Sequence, residues 1–221
     1  MMNQKTVMRD DTCRMNYMVF HPDDYADLPL VVYLHGAGER GENIEHVFRL
    51  GLPRLLKAGR EYPAVILCPQ CPRHVIWNNI VEEVKALIDR IAAEYGIGKD
   101  RILITGSSMG GYGTWEMAAC FPTLFAGAAP VAGGGVTWRA GRMRSLPIKA
   151  YHGTADTVVK PVQSQQMVEC LPGNAQLILM EGLDHGDGIE YAYEHTDLMD
   201  WLLVQRRTDF SYVPEICENW F

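Results

Sequence analysis

One stretch of the sequence, residues 102–119 (ILITGSSMGGYGTWEMAA), most restricts how this chain can fold. An apolar run meets a Gly-x-Ser-x-Gly pentad over residues 106–110, and a helix-compatible segment follows. This order predicts a strand, a tight turn and a helix, with a serine hydroxyl held out at the carboxyl edge of a sheet. Gly106 and Gly110 fit such a turn because larger side chains there would collide with the neighbouring strand and helix.

The pentad also indicates which serine is available for chemistry. Ser108, and not the adjacent Ser107, has a glycine two residues away on each side, so Ser108 is the predicted nucleophile. A hydroxyl is a poor nucleophile at its ordinary pKa and needs a base, which an acid in turn orients. An active Ser108 therefore requires a histidine and a carboxylate later in the chain.

Apolar runs and helix-length segments alternate from residue 30 onward. The runs predict buried strands over residues 30–34, 64–68, 101–105, 127–132, 148–152 and 176–180. The intervening segments predict helices over residues 44–57, 80–95, 109–120, 161–170 and 189–204. Before them, a β-hairpin is predicted from residues 5–8 and 14–20. Together they predict an α/β fold with a mostly parallel, doubly wound sheet, an N-terminal antiparallel hairpin and a ligand site at the carboxyl ends of the strands.

The length and net charge of the chain limit its domain organisation and its possible partners. The 221 residues suit a single domain spanning residues 1–221, since α/β domains of this length are common. A net charge of −7 gives no reason to expect nucleic acid or an anionic membrane as a partner. No basic start followed by an apolar stretch opens the chain, and no run of about 18 apolar residues occurs, so we expect a cytoplasmic protein.

The cysteines point to buried thiols. All six are scattered through an apolar-rich chain, which is not the pattern of a disulfide framework: Cys13, Cys68, Cys71, Cys120, Cys170 and Cys217. Cys68 and Cys71 form a C-x-x-C pair, but no second pair lies at metal-ligand spacing. The sequence therefore favours neither a zinc site nor a redox pair.

The loop after the first predicted parallel strand, LHGAG, is suited to bind an oxyanion. A reaction at an acyl carbon needs two amide donors, one after the nucleophile and one from such a loop. Met109 supplies the first in this interpretation, and Ala37 the second, with Gly36 as the next choice. Glu39 and Arg40 are expected either to form an ion pair that braces the loop or to contact the substrate, and bracing is preferred.

The acid and the base are predicted from the ends of later strands. Asp156 follows the strand predicted at 148–152, and His185 follows the one at 176–180, so both should reach the same sheet edge as Ser108. The histidines at 35, 152 and 195 are interpreted as structural. Asp184 and Asp187 flank His185, but a carboxylate so close in sequence rarely reaches round to the ring, so Asp156 is preferred.

Four motifs in this order resemble those of the α/β-hydrolase superfamily: LHGAGERG (34–41), TGSSMGGYGTWEMAACFP (105–122), HGTAD (152–156) and GLDHG (182–186). Within it, residues 30–204 resemble the small esterases of the predicted-peptidase, feruloyl-esterase-like and polyhydroxybutyrate-depolymerase-like group. The resemblance implies a serine esterase with the triad Ser108, Asp156 and His185, working without a metal or organic cofactor.

The substrate site is predicted to be open. Residues 131–146, where this fold commonly inserts a lid, form a short segment, so we expect no large lid and a small, soluble ester as substrate. Trp77 with Asn78, and Trp138, follow strands at the same edge and are predicted to line the site. Trp115 falls at helical spacing after Ser108 and is predicted to be a core residue.

Other functions stay open at this point. The same triad serves peptidases and acyltransferases, and a non-catalytic member of the fold would bind a ligand without reacting with it. The presence of every part that the chemistry needs argues against the non-catalytic alternative, and a carboxylic-ester hydrolase is the leading hypothesis. The acyl and alcohol groups and the oligomeric state are left open by the sequence.

Overall fold

The structure, a computed structural model, describes residues 2–10 and 13–211, and its first two strands form the predicted hairpin. β1 (Asn3–Val7) pairs antiparallel with β2 (Tyr17–His21). β1 is largely exposed at the edge of the sheet, whereas β2 is buried and pairs on its other side with β4 (Val65–Pro69), again antiparallel. The hairpin therefore extends the sheet beyond its parallel part.

The remaining strands are parallel and complete one eight-stranded sheet in the described part of the chain. They are β3 (Leu30–Leu34), β5 (Ile102–Ser107), β6 (Gly127–Val131), β7 (Ile148–Gly153) and β8 (Ala175–Met180). The spatial order is β1-β2-β4-β3-β5-β6-β7-β8. Connections from the neighbours β3 and β5 run to opposite sides of the sheet, so a crevice opens at their carboxyl ends, where ligands bind in doubly wound folds.

Helices cover both faces of the sheet. They are α1 (Leu52–Lys57), α2 (Val81–Glu94), α3 (Met109–Cys120), α4 (Val162–Glu169), α5 (His185–His195) and α6 (Leu198–Leu203). Side chains of α2, α3 and α4 pack into one apolar core, and those of α1, α5 and α6 into a second. In β3, Val32 faces the first core and Val31 and Tyr33 the second, because successive strand residues point to opposite faces. The predicted α/β fold class is confirmed.

The predicted helix over residues 44–57 is wrong in one respect, because it is two short helices. A 3₁₀ helix (Ile44–Arg49) ends before Gly51, and α1 then begins at Leu52. Gly51 has a φ of 69°, and a Cβ atom there would lie 2.4 Å from the hydroxyl of Tyr33. The close approach of Tyr33 therefore requires a glycine whose backbone conformation interrupts the helix.

The predicted helix over residues 189–204 is also divided. α5 begins earlier than predicted, at His185, and ends at His195, and α6 follows after Asp197. Thr196 has an extended backbone conformation, and the Asp197 carboxylate accepts hydrogen bonds from Lys149 Nζ at 2.6 Å and the Tyr151 hydroxyl at 3.0 Å. These contacts to β7 bend the chain between the two helices.

The connection between β6 and β7 is short, as predicted. It holds a 3₁₀ helix (Thr137–Met143) and no longer element, so no large lid covers the carboxyl edge of the sheet within residues 132–147. Among the described residues, no helix combines the length and the apolar character that crossing a lipid bilayer requires.

The cysteine prediction is only partly confirmed. Cys13, Cys68 and Cys71 are buried, Cys120 is half-buried, and Cys170 is exposed. Cys217 lies outside the described residues. Burial raises the pKa of the Cys71 thiol to about 12, so this thiol stays protonated and is a weak nucleophile at neutral pH. Within residues 2–10 and 13–211, no cluster of three or more His, Cys, Asp or Glu side chains is placed to hold a metal ion.

Candidate active site

Ser108 lies in the tight turn between β5 and α3. Its φ is 55° and its ψ is −117°, a strained conformation for a residue with a side chain. A Cβ atom on Gly106 would lie 2.5 Å from the Gly110 carbonyl oxygen, and one on Gly110 only 1.8 Å from the Leu34 carbonyl oxygen. The turn thus packs main chain against main chain, which explains why the sequence has glycine on both sides of the serine.

The two adjacent serines have different environments. Ser107 is fully buried, and its hydroxyl lies 2.9 Å from the hydroxyl of Tyr33 inside the second core. Ser108 is half-buried and points toward α5, with its own amide bonded to the Val131 carbonyl at 3.0 Å. Of the two, Ser108 alone faces the predicted base.

The side chains of Ser108, His185 and Asp156 form one hydrogen-bonded chain. His185 Nδ1 lies 2.6 Å from Asp156 Oδ2, and His185 Nε2 lies 2.9 Å from Ser108 Oγ. Because Nδ1 faces a carboxylate, it carries the ring proton, which leaves Nε2 as the acceptor for the serine hydroxyl. The structure therefore brings together three residues that are up to 77 positions apart in sequence.

The loop after β7 holds Asp156 in place. The Asp156 side chain is fully buried, and its Oδ1 accepts hydrogen bonds from the amides of Val158 and Val159, both at 2.9 Å. The same loop is tied to the segment before His185, since the Ala155 amide donates to the Leu183 carbonyl at 3.0 Å. Acid and base are thus fixed relative to each other by main-chain contacts as well as by their own bond.

A second histidine, His152, also contacts Asp156. Its Nε2 lies 2.7 Å from the Val159 carbonyl and 3.3 Å from Asp156 Oδ2, and its Nδ1 lies 2.7 Å from the Ser164 hydroxyl. Burial lowers the pKa of His152, which favours a neutral ring. His152 therefore connects the acid loop to α4, in line with a structural role.

The other predicted alternatives lie elsewhere. Asp184 is the N-cap of α5, and its carboxylate accepts the Asp187 amide at 2.9 Å. His195 is exposed at the other end of α5. Neither Asp184 nor Asp187 is hydrogen-bonded to His185 in the described part of the chain.

Ala37, one residue after Gly36, and Met109, one residue after Ser108, both lie close to Ser108. Met109 is the first residue of α3, where an amide has no partner within the helix. A Cβ atom on Gly36, the residue before Ala37, would lie 3.6 Å from the Ser108 Cβ atom. In residues 2–10 and 13–211, neither amide donates a hydrogen bond to another protein group, so both are available to a bound ligand.

The ring of His35 orients the peptide group that carries the Ala37 amide. Its Nδ1 lies 2.6 Å from the Gly36 carbonyl, and its Nε2 accepts the Cys71 amide at 2.9 Å. The carbonyl and the N–H of a trans peptide point in opposite directions, so a bond that holds the Gly36 carbonyl on one side turns the Ala37 N–H to the other. Full burial lowers the pKa of His35 to about 4, which favours the neutral ring that this arrangement needs.

The predicted ion pair between Glu39 and Arg40 is wrong. Arg40 donates from Nε to the Ala37 carbonyl at 3.1 Å and from Nη1 to the Val75 carbonyl at 3.3 Å. The Glu39 carboxyl is buried beneath the loop, with Oε2 3.8 Å from His35 Nδ1, and burial raises its pKa. Arg40 still braces the loop, but it does so through main-chain carbonyls.

Acidification is expected to destabilise the chain through His35. Its pKa is about 4 in the folded chain and about 6.5 in the unfolded chain, so near pH 5 only the unfolded state binds the proton. The stabilisation is complete above pH ~6.5 and is lost as the pH falls toward ~4, costing about 2 kcal/mol of unfolding free energy by pH ~5. Urea unfolding at a series of pH values measures this slope.

The control for this prediction is a second histidine. The amide oxygen of Gln in His35→Gln can still accept the Cys71 amide. On acidification to pH ~5, this variant should lose about 2 kcal/mol less unfolding free energy than the unsubstituted chain. His195→Gln, at an exposed position, should keep the original slope. Equal slopes for His35→Gln and the unsubstituted chain would contradict the assignment.

An open cavity of about 410 Å³ lies beside the nucleophile, lined by Ile76, Asn78, Ser108, Met109 and Tyr112. The prediction that Trp77 lines the site is wrong, because its side chain is fully buried and its Nε1 donates to the His35 carbonyl at 2.9 Å. Trp138 is 71% exposed on the 3₁₀ helix after β6 and is not among the cavity residues. Its role in binding stays a prediction.

Two residues of this cavity are not identified by the sequence pattern. Tyr112 lies four residues after Ser108 in α3, so helical spacing places it one turn along on the same face. Ile76 directly precedes Trp77 and is 40% exposed, whereas Trp77, the residue predicted to line the site, is buried. Trp115 is buried in the core, as predicted.

Comparison with known proteins supports the same fold. A solved thermostable esterase matches 93% of this chain and 63% of its own length, with a TM-score of 0.78 and 31% sequence identity. The feruloyl esterase module from Clostridium thermocellum matches 96% of this chain and 91% of its own length, with a TM-score of 0.71 and 15% identity. No family model matches the chain.

Sequence similarity to curated proteins is more local. A poly(3-hydroxyalkanoate) depolymerase C of Paucimonas lemoignei is 45% identical over 51 residues, which are 23% of this chain and 12% of that protein. The chain thus spans a small part of this relative and less than two thirds of the thermostable esterase. Fold and similarity together confirm the predicted resemblance: the chain has the α/β-hydrolase fold and is similar to esterases of that superfamily.

Proposed function

We propose that this chain is a serine hydrolase that cleaves carboxylic esters through an acyl-enzyme. The observation that carries the proposal is the hydrogen-bonded chain from Ser108 through His185 to Asp156, with distances of 2.9 Å and 2.6 Å. Similarity to esterases supports the same reaction class. The arrangement matches the geometry by which serine nucleophiles are activated on unrelated folds.

In the first half of the proposed reaction, Ser108 attacks the ester carbonyl carbon. His185 Nε2 takes the hydroxyl proton as the Oγ–C bond forms, and the carbonyl π electrons move onto oxygen. Asp156 remains a carboxylate that holds the Nδ1 proton and stabilises the imidazolium. When the tetrahedral intermediate collapses, His185 gives its Nε2 proton to the departing alkoxide, and the alcohol leaves.

The amides of Ala37 and Met109 are proposed to bind the oxyanion. Both are without a protein partner in the described residues, and Met109 also lies at the positive end of the α3 dipole. Donors oriented before the reaction stabilise the developing charge without reorganisation, and one such bond is typically worth about a hundredfold to a thousandfold in kcat. The His35 and Arg40 contacts keep the Ala37 peptide in the required orientation.

In the second half, water replaces the alcohol. His185 Nε2 takes a proton from the water as its oxygen attacks the acyl carbon, and Ser108 Oγ leaves with that proton. The carboxylic acid is released and the hydroxyl is restored. Apart from the ester and water, these steps use only side chains and amides of the chain itself.

The size and openness of the site favour a small ester. The cavity beside Ser108 is about 410 Å³ and open to solvent on one side, within the range of small-molecule sites. The short β6–β7 connection leaves it uncovered. A small, soluble ester is therefore the proposed substrate. A single domain, a cytoplasmic location, and the lack of nucleic-acid and membrane partners stay predictions of the sequence.

A fluorophosphonate probe tests this proposal directly. It reacts with activated serines, so the folded chain should be labelled stoichiometrically, and peptide mass spectrometry should locate the label on Ser108. The same preparation should hydrolyse 4-nitrophenyl acetate, and more slowly the matching anilide. An unlabelled chain without esterase activity would reject the proposal, and faster cleavage of the anilide would favour a peptidase.

A further inference from the structure

A second cavity lies on the other side of the oxyanion loop. It is about 780 Å³, and Ala37 and Gly38 form part of its wall. The charged side chains and histidines around it are Arg9, Arg40, Glu42, His46, Arg49, Arg73 and His74. We refer to it as the basic cavity.

The charge of the basic cavity is opposite to that of the whole chain. Four arginines and one glutamate line it, which gives a net charge of +3 with both histidines neutral. The whole chain has a net charge of −7. Positive charge is thus concentrated next to the proposed reaction centre of an acidic protein. It should attract anions to this site, which the net charge of the chain does not indicate.

Only part of the positive charge of these four arginines is offset by protein carboxyl groups. Arg9 pairs with Glu42 at 2.8 Å. Arg40 and Arg49 donate to main-chain carbonyls, with Arg49 reaching the Gly38 carbonyl at 3.1 Å, and Arg49 also interacts electrostatically with the buried Glu39 carboxyl. Arg73 is exposed and makes no ion pair with any residue in the described part of the chain. Guanidinium groups retain several free N–H donors in such arrangements and suit planar anions.

The basic cavity lies close to the amide that is proposed to bind the ester carbonyl oxygen. Gly36 adjoins Ser108, since a Cβ atom on Gly36 would lie 3.6 Å from the Ser108 Cβ atom, and Ala37 and Gly38 then form the cavity wall. Consecutive Cα atoms are about 3.8 Å apart, so the basic cavity opens within one or two residues of the oxyanion donor. Residues 72–74 line the basic cavity, and Ile76 and Asn78 of the same loop line the cavity beside Ser108, so the two cavities are adjacent.

We propose that the basic cavity binds a carboxylate on the substrate, so that the preferred substrate is an ester that carries a negative charge on one side of the ester bond. This inference rests on the proposed esterase activity and specifies its substrate class. An anion within about 4 Å of one unpaired guanidinium gains about fivefold in affinity even at the dielectric constant of water. The gain is larger where the protein excludes water.

Two matched pairs of esters test the proposal. The first pair places the charge on the alcohol side: 4-acetoxybenzoate against the neutral 4-acetoxybenzamide. The second places it on the acyl side: the 4-nitrophenyl monoester of adipic acid against 4-nitrophenyl hexanoate. In at least one pair, kcat/KM should be about fivefold or more higher for the charged ester, mainly through a lower KM. This preference should shrink as ionic strength rises.

Two substitutions of Arg73 test whether the basic cavity causes the preference for the charged ester. The ratio of kcat/KM for the charged ester to that for its neutral partner should fall about fivefold in Arg73→Gln and further in Arg73→Glu. Arg206→Gln removes the same charge beside Asp100, which precedes β5 at the opposite edge of the sheet. That control should keep the ratio of the unsubstituted chain.

The outcomes separate this inference from the proposed function. A ratio near one in both pairs, or a ratio that Arg73→Glu leaves unchanged, would overturn the carboxylate site even though neutral esters are hydrolysed and Ser108 is labelled. Loss of hydrolysis for all four esters together with absent labelling would instead count against the esterase activity itself. A ratio that falls equally in Arg206→Gln would show that overall charge, and not the basic cavity, sets the preference.

Discussion

Ser108→Ala is expected to lower kcat for 4-nitrophenyl acetate by about a million-fold, to near the rate that binding and the oxyanion donors alone provide. The substitution removes the oxygen that forms the acyl-enzyme, and no neighbouring group replaces it. Ser107 cannot do so because it is buried against Tyr33 on the other side of the sheet. Burst-phase kinetics and fluorophosphonate labelling should both be abolished.

Ser107→Ala provides the matched control, since it makes the same chemical change one residue earlier. It removes a buried hydroxyl that bonds to Tyr33 at 2.9 Å, which should cost about 1 kcal/mol of stability. Labelling should persist. A labelled Ser108→Ala variant, or an unlabelled Ser107→Ala variant that is still folded by circular dichroism, would show that the nucleophile has been assigned to the wrong serine.

The residues of the proposed triad are predictable because chain order and strand ends constrain them strongly. Parallel strands end at one edge, so Ser108, Asp156 and His185 share that edge once the alternation of strands and helices is recognised. The glycines at 106 and 110 are predictable for the same reason, since the turn brings main-chain atoms of α3 and β3 into contact. Local pattern and topology here indicate the same arrangement.

The errors come from long-range contacts that a local pattern does not contain. Residues 44–57 have the composition of one helix, but Tyr33 from the sheet approaches Gly51 and divides it. The position of Trp77 after a strand predicts a residue that lines the site, yet its indole reaches the His35 carbonyl inside the fold. Both contacts join residues that are more than 15 positions apart in sequence, and the local periodicity of apolar residues does not predict them.

Charge distribution is a further limit of sequence reasoning. The net charge of −7 suggests no preference for anionic ligands, because it sums over the whole surface. The fold gathers Arg9, Arg40, Arg49 and Arg73 at one cavity, although they lie in three separate connections that follow β1, β3 and β4. The electrostatic potential at a site depends on which charged side chains the fold brings near it, and not on the net charge of the chain. A preference for a charged substrate is therefore a property of the tertiary structure.

Asp156→Asn is expected to lower kcat about ten-thousand-fold, a loss of about 5 kcal/mol of transition-state stabilisation, with little change in the fold. The reason lies in the two main-chain amides of Val158 and Val159, which both donate to Asp156 Oδ1 at 2.9 Å. These donors require an oxygen at that position, so the amide oxygen of the asparagine stays there and its NH₂ group faces His185. The ring must then accept at Nδ1 and carry its proton on Nε2, where it cannot take the proton of Ser108.

Asp187→Asn is the matched control for this substitution, because it changes the same functional group two residues after His185. Asp187 lies in the first turn of α5 and makes no hydrogen bond to the ring among the described residues. Because a surface charge near a helix N-terminus is worth less than about 1 kcal/mol, kcat should stay within about threefold of the unsubstituted chain. Thermal unfolding separates a catalytic loss from a folding defect. If Asp187→Asn lost activity while Asp156→Asn kept it, the acid would lie beside His185 in sequence, and the constraint imposed by Val158 and Val159 would have no catalytic role.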